Sequence, residues 1–409
     1  MSKKIAIIGG GIVGMCSAFL LHQAGHEVVL IDAQAVPGNL ASNSNAMQLC
    51  YGTIAPYAGM GDIKKYARYL AYSHPSCSVY VRQDYSLRFL KFLLLSGWTA
   101  LPRNAQETRQ KLYELAEESC SAMMAFRKDY LEIDFHYKPT GKMRLYESRA
   151  AFEGEAEQLN FMNEKYGIGV EVLDSAETYA REPALREKAQ TIFVSTYCDM
   201  DASGDSGQLA RQMHMFMQGS DRYDYRANTS VDRLEVTDGA VTGIQTSHGD
   251  IHADCVVVAA GAASTAILET AGVSLPMIPV KGYSLTVENP PFDFYPCISD
   301  ISQKFAYNTY GKDKRYLRLS GLMDFVGHDT TLNTQRIDYL KTQIQQTFPT
   351  LDLTDAVARC GLRPVMGASL PVVGQRGPKN LWVNTGQGVY GWTLAMGSAK
   401  LLKTAIDQD

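Results

Sequence analysis

Five consecutive features at the amino terminus leave the first part of this chain little freedom in how it can fold. Ile5-Ala6-Ile7-Ile8 is a continuous apolar run, as expected of a strand buried on both faces of a parallel sheet. Gly9-Gly10-Gly11-Ile12-Val13-Gly14 follows and fits G-x-G-x-x-G. Ile12, Met15, Phe19 and Leu20 then recur at helical spacing up to Gly25, a helix stop. A second apolar run, Val28-Val29-Leu30-Ile31, ends at Asp32, 23 residues after Gly9. In that order each part has a task. Gly9 permits a tight turn, Gly11 lets a pyrophosphate approach the backbone, and Gly14 lets the helix pack close to the strand. The first amides of the helix, at Ile12 and Val13, favour the negative charge, and Asp32 is placed to reach a ribose hydroxyl. The features together predict a bound dinucleotide.

The residues after Asp32 narrow the choice of cofactor. A nicotinamide dehydrogenase normally continues into further alternating strands and helices, whereas this chain gives Ser42-Asn43-Ser44-Asn45-Ala46-Met47-Gln48 and then a long irregular segment. Small polar groups here suit a cofactor whose pyrophosphate and ring lie further along the chain; the same residues also read as a solvated loop. Cys255-Val256-Val257-Val258-Ala259-Ala260-Gly261 repeats the strand-into-glycine pattern, either enclosing the cofactor beside the first strand or forming an ordinary core strand. Near the carboxyl terminus a strand over 380–384 runs into Gly386, Gln387 and Gly388, and then into Gly391-Trp392-Thr393 and a helix through Leu402. Glycines before a helix present amides at its positive end, a resting place for the electron-rich edge of a reduced flavin.

Composition excludes other classes. Lys and Arg number 39 against 43 Asp and Glu, a net charge of −4, which argues against nucleic acid as the main partner, because phosphate binding draws on clustered positive charge. Apolar residues at 45% and charged residues at 20% exclude disorder, collagen and coiled coil. At roughly 150 residues per domain, 409 residues make two to three domains or one interleaved pair. The eight cysteines form no C-x-x-C pair, so neither a zinc site nor a redox dithiol is expected, and no metal is predicted. Scattered thiols suit a reducing compartment, and Gly9 breaks the N-terminal apolar run too early for a secretory leader, so a cytoplasmic protein is expected. His248 and His252 flank the Gly249-Asp250 turn and read as surface residues.

Residues 63–101 are rich in Tyr and Leu. Leu87 to Trp98 is the most apolar part, interrupted by Arg88 and Lys91 and too short to cross a bilayer. It reads either as a helix packed on the core or as one lying in a membrane interface, with Trp98, Arg82, Arg88, Lys91 and Arg103 toward headgroups. A long amphipathic helix is predicted over 104–131. Strands are predicted around 133–137, 142–146, 191–195, 222–226, 229–236 and 241–246, with a hairpin at Asp238-Gly239. Further β-like segments include 280–286 and 316–320.

Several of these motifs together resemble the D-amino-acid dehydrogenase small-subunit family, within the flavoprotein superfamily of D-amino-acid oxidase, glycine oxidase and sarcosine oxidase. The resemblance rests on 9–32, on 42–56, and on Lys281-Gly282-Tyr283-Ser284-Leu285-Thr286. More specific are Gly361-Leu362-Arg363-Pro364, Pro371-Val372-Val373-Gly374, and Lys379 to Gly386 followed by Gly391-Trp392-Thr393. It covers nearly the whole chain in order.

The resemblance implies an α/β and α+β fold: a Rossmann-like FAD-binding domain with an interleaved antiparallel-sheet substrate domain. The FAD domain would comprise 1–56, 200–272 and 355–409, and the substrate domain 57–199 and 273–354. Gly9, Gly11, Ile12, Val13, Gly14, Asp32, Ser42, Asn45, Ala46, Gln48, Val231, Gly261, Gly361, Gly386, Gly388, Gly391, Trp392 and Thr393 are the residues expected at FAD, with the Val231 backbone at the adenine. The implied reaction is oxidative deamination of a free amino acid, the D-isomer by family, to a 2-oxo acid and ammonia, with electrons passing to a quinone or another acceptor. The alternatives are an oxygen-using oxidase of glycine, sarcosine or another secondary amine, and a flavin-bearing electron-relay subunit of a larger complex. Partner subunits and peripheral contact with the inner face of a membrane through 87–101 remain open. Arg363 is the expected carboxylate clamp, because a guanidinium binds a carboxylate in a bidentate way that Lys does not match; a structural ion pair is the other reading of this residue. Tyr283 and Gln387 are expected to line the pocket or touch the flavin. Relatives commonly carry Gly at Met47, Ser at Cys50 and His at Gln387, which leaves substrate and acceptor undetermined.

Overall fold

The computed structural model describes residues 2–57, 74–82, 86–311 and 316–409, so part of the Tyr- and Leu-rich stretch lies outside the described residues. The first strand, Lys4–Ile8, lies near the middle of a six-stranded sheet. On one side it pairs in parallel with Glu27–Ile31, which pairs with Tyr223–Arg226. On the other side come Cys255–Val258 and then Leu381–Thr385, both parallel, and last the antiparallel Val372–Gln375. Five strands of this sheet run the same way, which explains the continuous apolar runs: both faces are covered. Ile5 and Ile7 pack against the helices Ile12–Gln23 and Gly391–Gln408, through Met15, Phe19, Ala395 and Leu402. Ala6, Ile8, Val29 and Ile31 pack on the opposite side against Leu234, Val241 and Ile244. Those three belong to the hairpin Val231–Thr237 and Ala240–Thr246, whose turn residues Asp238 and Gly239 both have positive φ (51° and 73°), as a right-twisting two-residue turn requires.

The second layer is a nine-stranded sheet. The strand Met277–Glu288 lies between Val357–Met366 and Tyr316–Phe325, antiparallel to both. Phe305–Tyr310, Cys297–Asp300, Lys142–Tyr146, Val194–Cys198 and Glu171–Asp174 continue the sheet, and Val79–Val81 pairs with one end of Tyr316–Phe325. Side chains alternate between two unlike faces. One face holds Leu145, Tyr283, Leu285, Tyr307, Leu317 and Leu319, which form a core with Leu340, Ile344 and Phe348. Leu340 and Ile344 come from the helix Thr334–Thr347. The other face carries Arg363, Gly282, Ser284, Ser320, Arg318 and Asn308, and it turns toward the loop beyond Asp32.

The fold bears out some expectations and corrects others. The nine-stranded sheet is mainly antiparallel, as expected, with Cys297–Asp300 running parallel to Lys142–Tyr146. Val357–Met366 is an edge strand of the nine-stranded sheet, and the chain returns to the six-stranded sheet at Val372–Gln375. No strand forms at 133–137: Ile133 and Phe135 are buried, but the Ile133 amide donates to the Tyr130 carbonyl and the Phe135 carbonyl accepts from the Asp205 amide, so the backbone bonds within turns and loops, and a ladder contact with Ser203 comes only at Lys138. The strand expected at 191–195 lies at Val194–Cys198, and the last helix runs on to Gln408.

A buried ion pair ties the helix Thr334–Thr347 to this sheet. Arg336 is fully buried, and its Nε and Nη2 donate to the Asp324 carboxylate at 2.6 to 3.1 Å, while Nη1 donates to the Cys77 carbonyl at 2.6 Å. Removing one member of a buried pair leaves an uncompensated charge, a cost of about 3–5 kcal/mol. Arg336→Met is therefore expected to lower the urea midpoint by that equivalent with the slope unchanged, as equilibrium denaturation would measure.

Candidate cofactor and substrate site

The glycine turn is built tightly. Gly9 has φ 109° and its amide donates to the Ile31 carbonyl at 2.8 Å. A Cβ on Gly14 would stand 1.9 Å from the Gly9 carbonyl oxygen, so only glycine lets the helix start this close to the strand. Gly11 caps the helix with no side-chain cap, and the Ile12 amide donates to Ser42 Oγ at 2.9 Å. Asp32 accepts from the Gly10 amide and, at 2.7 Å, from the Gln34 amide. Burial pushes its carboxyl above the usual range, and those two amides act against the shift. The Thr229 amide donates to the Asp32 carbonyl at 2.8 Å, and Val231 begins the strand that follows two residues later. An anion-accepting helix start, a serine and a buried acid thus meet at the end of the first two strands, a donor set that fits a dinucleotide.

The loop from Ala41 onward leaves this sheet and crosses the polar face of the other. Gly361 carries it, since a Cβ there would be 2.8 Å from Ala41 Cα. Arg318 donates to the Asn43 and Asn45 carbonyls at 3.0 and 3.3 Å. Asn45 closes the turn on itself by accepting from the Met47 amide at 2.8 Å and donating to Ser206 Oγ at 2.6 Å, with Ala46 between. Met47 is buried with φ 61°, in the left-handed region that favours glycine. Gln48 donates to the Ile298 carbonyl at 2.8 Å and accepts from Ser299 at 3.0 Å. Cys50 follows, its amide donating to Thr393 Oγ1 at 3.0 Å and its sulfur accepting from Lys142 Nζ at 3.0 Å.

The C-terminal glycine segment meets the loop. Gly386 and Gly388 have φ of 86° and 58°, and the helix begins at Gly391. Trp392 Nε1 donates to the Gly204 carbonyl at 2.9 Å. Gly261, at the end of its strand, accepts from Thr385 Oγ1 at 3.2 Å. Glycines 9, 261 and 386 thus lie where their strands leave the carboxyl edge of the first sheet, the edge where open α/β sheets hold ligands.

Arg363 shares its face with Val280, Gly282 and Gly361. Its guanidinium bends over Gly282, where a Cβ would come within 2.2 Å of Nη2, and Nη1 donates to the Leu322 carbonyl at 3.2 Å. Burial works against the Arg363 charge, with Tyr57 and Asp324 opposing that shift. The structure does not bring Tyr283 to this place. Its side chain alternates to the opposite face, is buried in the apolar core and donates to Asp324, so it does not line a pocket with Arg363. The Gln387 amide donates to Asn384 at 2.7 Å, and its backbone bridges to Val365; it is turned into the interior and holds the C-terminal segment rather than presenting a free amide. Sequence reasoning missed Gly282, Arg318 and Lys142. For Lys142 a signal was present: Lys142-Met143-Arg144-Leu145 alternates charged with apolar, the mark of a strand with one polar face.

The FAD dependent oxidoreductase family model matches residues 4–404. The chain belongs to that family. FAD is therefore the cofactor of this oxidoreductase. Curated relatives of the FAD-dependent oxidoreductase include a D-amino acid dehydrogenase of Cereibacter sphaeroides, 32% identical over 99% of this chain and 92% of the relative. Another, from Allorhizobium ampelinum, is 31% identical over 98% of this chain and 94% of the relative. Among solved structures, glycine oxidase from Geobacillus kaustophilus superposes with a TM-score of 0.77 at 19% identity, covering 100% of this chain and 95% of that one, so the likeness is one of fold.

The seat of Arg363 makes a prediction. If Arg363 clamps a carboxylate as expected, Gly282→Ala displaces the guanidinium and weakens a charge-assisted contact of about 1.5–3 kcal/mol. The Kd of an unreactive carboxylate such as benzoate, followed by the flavin absorbance it perturbs, is expected to rise about tenfold to a hundredfold. FAD content should be unchanged.

Proposed function

We propose that this oxidoreductase oxidises free amino acids, the D-isomers first among them, to 2-oxo acids and ammonia and passes the electrons to a quinone or similar carrier. The observation that carries the reading is the Arg363 guanidinium held across Gly282 beside the loop from Ala41 to Cys50. Arg363 grips the substrate carboxylate with two parallel N–H donors, which fixes the orientation of Cα. The first helix and Ser42 hold the pyrophosphate, Asp32 the ribose, and the Gly386–Thr393 segment the flavin ring. FAD, once bound, supplies a two-electron acceptor for the hydride that leaves Cα. No side-chain base is required, because a neutral amine assists departure of that hydride and the resulting imine hydrolyses in water. The names of the relatives support the D-isomer; oxygen-dependent oxidation of glycine or a secondary amine is the other reading, and the fold is compatible with it.

Anaerobic bleaching of the flavin absorbance by a panel of D-amino acids, L-amino acids and N-methyl amines separates these readings. Rapid bleaching by D-amino acids alone is expected, whereas bleaching only by secondary amines or L-isomers would sink the proposal. Arg363→Lys should lose a factor of about ten to a hundred in the rate at low substrate, in line with one bidentate contact.

A peripheral membrane contact is a second part of the reading. No helix among the described residues is long and apolar enough to cross a membrane. The helix Leu87–Thr99 buries Phe89 and Phe92 against the sheet, yet leaves Leu87, Leu90, Leu94 and Trp98 exposed, Trp98 at 64%. Those positions form one stripe at helical spacing, flanked by Lys91 and Arg103, an arrangement that suits a headgroup interface. Co-sedimentation with anionic lipid vesicles should fall sharply for Leu90→Glu/Leu94→Glu. Equal sedimentation of the two proteins would remove this part of the proposal.

A further inference from the structure

Cys50 and Lys142 come from the two halves of the molecule and meet in its interior. Cys50 lies on the loop that crosses the sheet, and Lys142 begins the strand Lys142–Tyr146. Both are buried, and Nζ donates to Sγ at 3.0 Å. The loop is fixed on three sides of the sulfur. Gln48–Leu49 pairs with Ala202–Ser203, the Cys50 amide is held by Thr393, and the Gly52 amide donates to Asp201 Oδ1 at 2.7 Å. The strand side is fixed by register, with Cys297 and Cys198 flanking Lys142 on the adjacent strands. Cys297 Sγ is turned to the Gly141 carbonyl at 3.3 Å, which leaves Lys142 as the group that addresses Cys50.

We propose that Cys50 and Lys142 are an oxidatively closable pair, in which hydrogen peroxide converts their hydrogen bond into a covalent sulfur–nitrogen link across the two halves of the site. The thiol sulfur attacks one peroxide oxygen; the O–O bond breaks, Cys50 becomes a sulfenic acid and one water leaves. Sulfur has then lost two electrons and peroxide has gained them. The Lys142 amine next attacks that sulfur, the S–O bond breaks, and the hydroxyl departs as a second water with one amine proton. Amine, thiol and peroxide thus give one N–S bond and two waters.

The surroundings balance the proton of the amine. Burial alone would strip the proton from Lys142, and Cys50, Asp201 and Cys297 outweigh it and hold the ammonium. Asp201, whose carboxyl burial pushes up, is the neighbouring base for the proton that is shed. The link does not depend on which amino acid the enzyme oxidises.

The test is peptide mapping of the FAD-loaded protein after titration with hydrogen peroxide, digested without reductant. A cross-linked peptide joining the Cys50 and Lys142 segments is expected, lighter than their sum by two hydrogens and cleaved by dithiothreitol. It should be absent from Cys50→Ser and Lys142→Arg. In Lys142→Arg, confirmed as FAD-loaded by its absorbance spectrum, Cys50 should instead be labelled by a sulfenic-acid reagent such as dimedone, because nothing traps the intermediate. Recovery of wild-type Cys50 unmodified, only as its sulfinic acid, or in a disulfide with Cys297 overturns the proposal.

Discussion

Burying the polar face of the nine-stranded sheet is the constraint that the rest of the molecule accommodates. A buried polar group without a partner costs about 1–3 kcal/mol, so a face that carries arginines, a lysine, serines and an asparagine needs a cover that hydrogen-bonds it. The loop from Ala41 to Thr53 is that cover, and it does so largely with backbone. The Asn43 and Asn45 carbonyls take Arg318, and Gln48 joins the strand at Ile298 and Ser299. The Leu322 carbonyl takes Arg363 from within the sheet itself. Since the same loop begins at the dinucleotide fold, satisfying the sheet also fixes where the cofactor domain sits.

The cover is incomplete in one region. Ser284 Oγ, Ser320 Oγ, Thr286 Oγ1, Asn308 Nδ2 and Arg318 Nε are buried with no hydrogen-bond partner among the described residues. By register they occupy two adjacent rows on three neighbouring strands, next to the row on which Gly282 lies. Isolated orphans are scattered defects in most proteins, but a contiguous set beside Gly282 and Arg363 belongs to a surface meant to be wetted or to hold a ligand.

How much of this was legible in the sequence depends on whether the decisive information was local. The glycine turn was, because strand, turn, helix and acid are consecutive and each is fixed by backbone sterics. The hairpin at Asp238-Gly239 was, for the same reason. Arg363 was found through resemblance to a family, since no local pattern marks an arginine in a strand as exposed to a site. Tyr283 shows the limit: it adjoins Gly282 in the motif, but one step along a strand reverses the face, and which face meets the site is settled by partners far away in the chain. Gly282 itself stands in that motif with no visible role, because its importance lies in a side chain 81 positions later. Lys142 carried a pattern, charged alternating with apolar, that told of a polar face without telling what would cover it.

The irregularity at Leu322 has a wider reach than the carbonyl it offers to Arg363. Pairing moves from Gly321 opposite Tyr283 to Asp324 opposite Lys281, three residues against two, with Leu322 at φ 63°. The extra residue changes the phase of the strand. Before it, even-numbered residues such as Arg318 and Ser320 face the loop; after it, odd-numbered ones do, and Phe325 joins the helix Leu87–Thr99. Asp324 is thereby delivered to Arg336 inside the apolar core. One inserted residue thus lets a single strand serve a polar surface along one half and an apolar one along the other, and losing it would exchange the surroundings of Asp324 and Phe325 at a stroke.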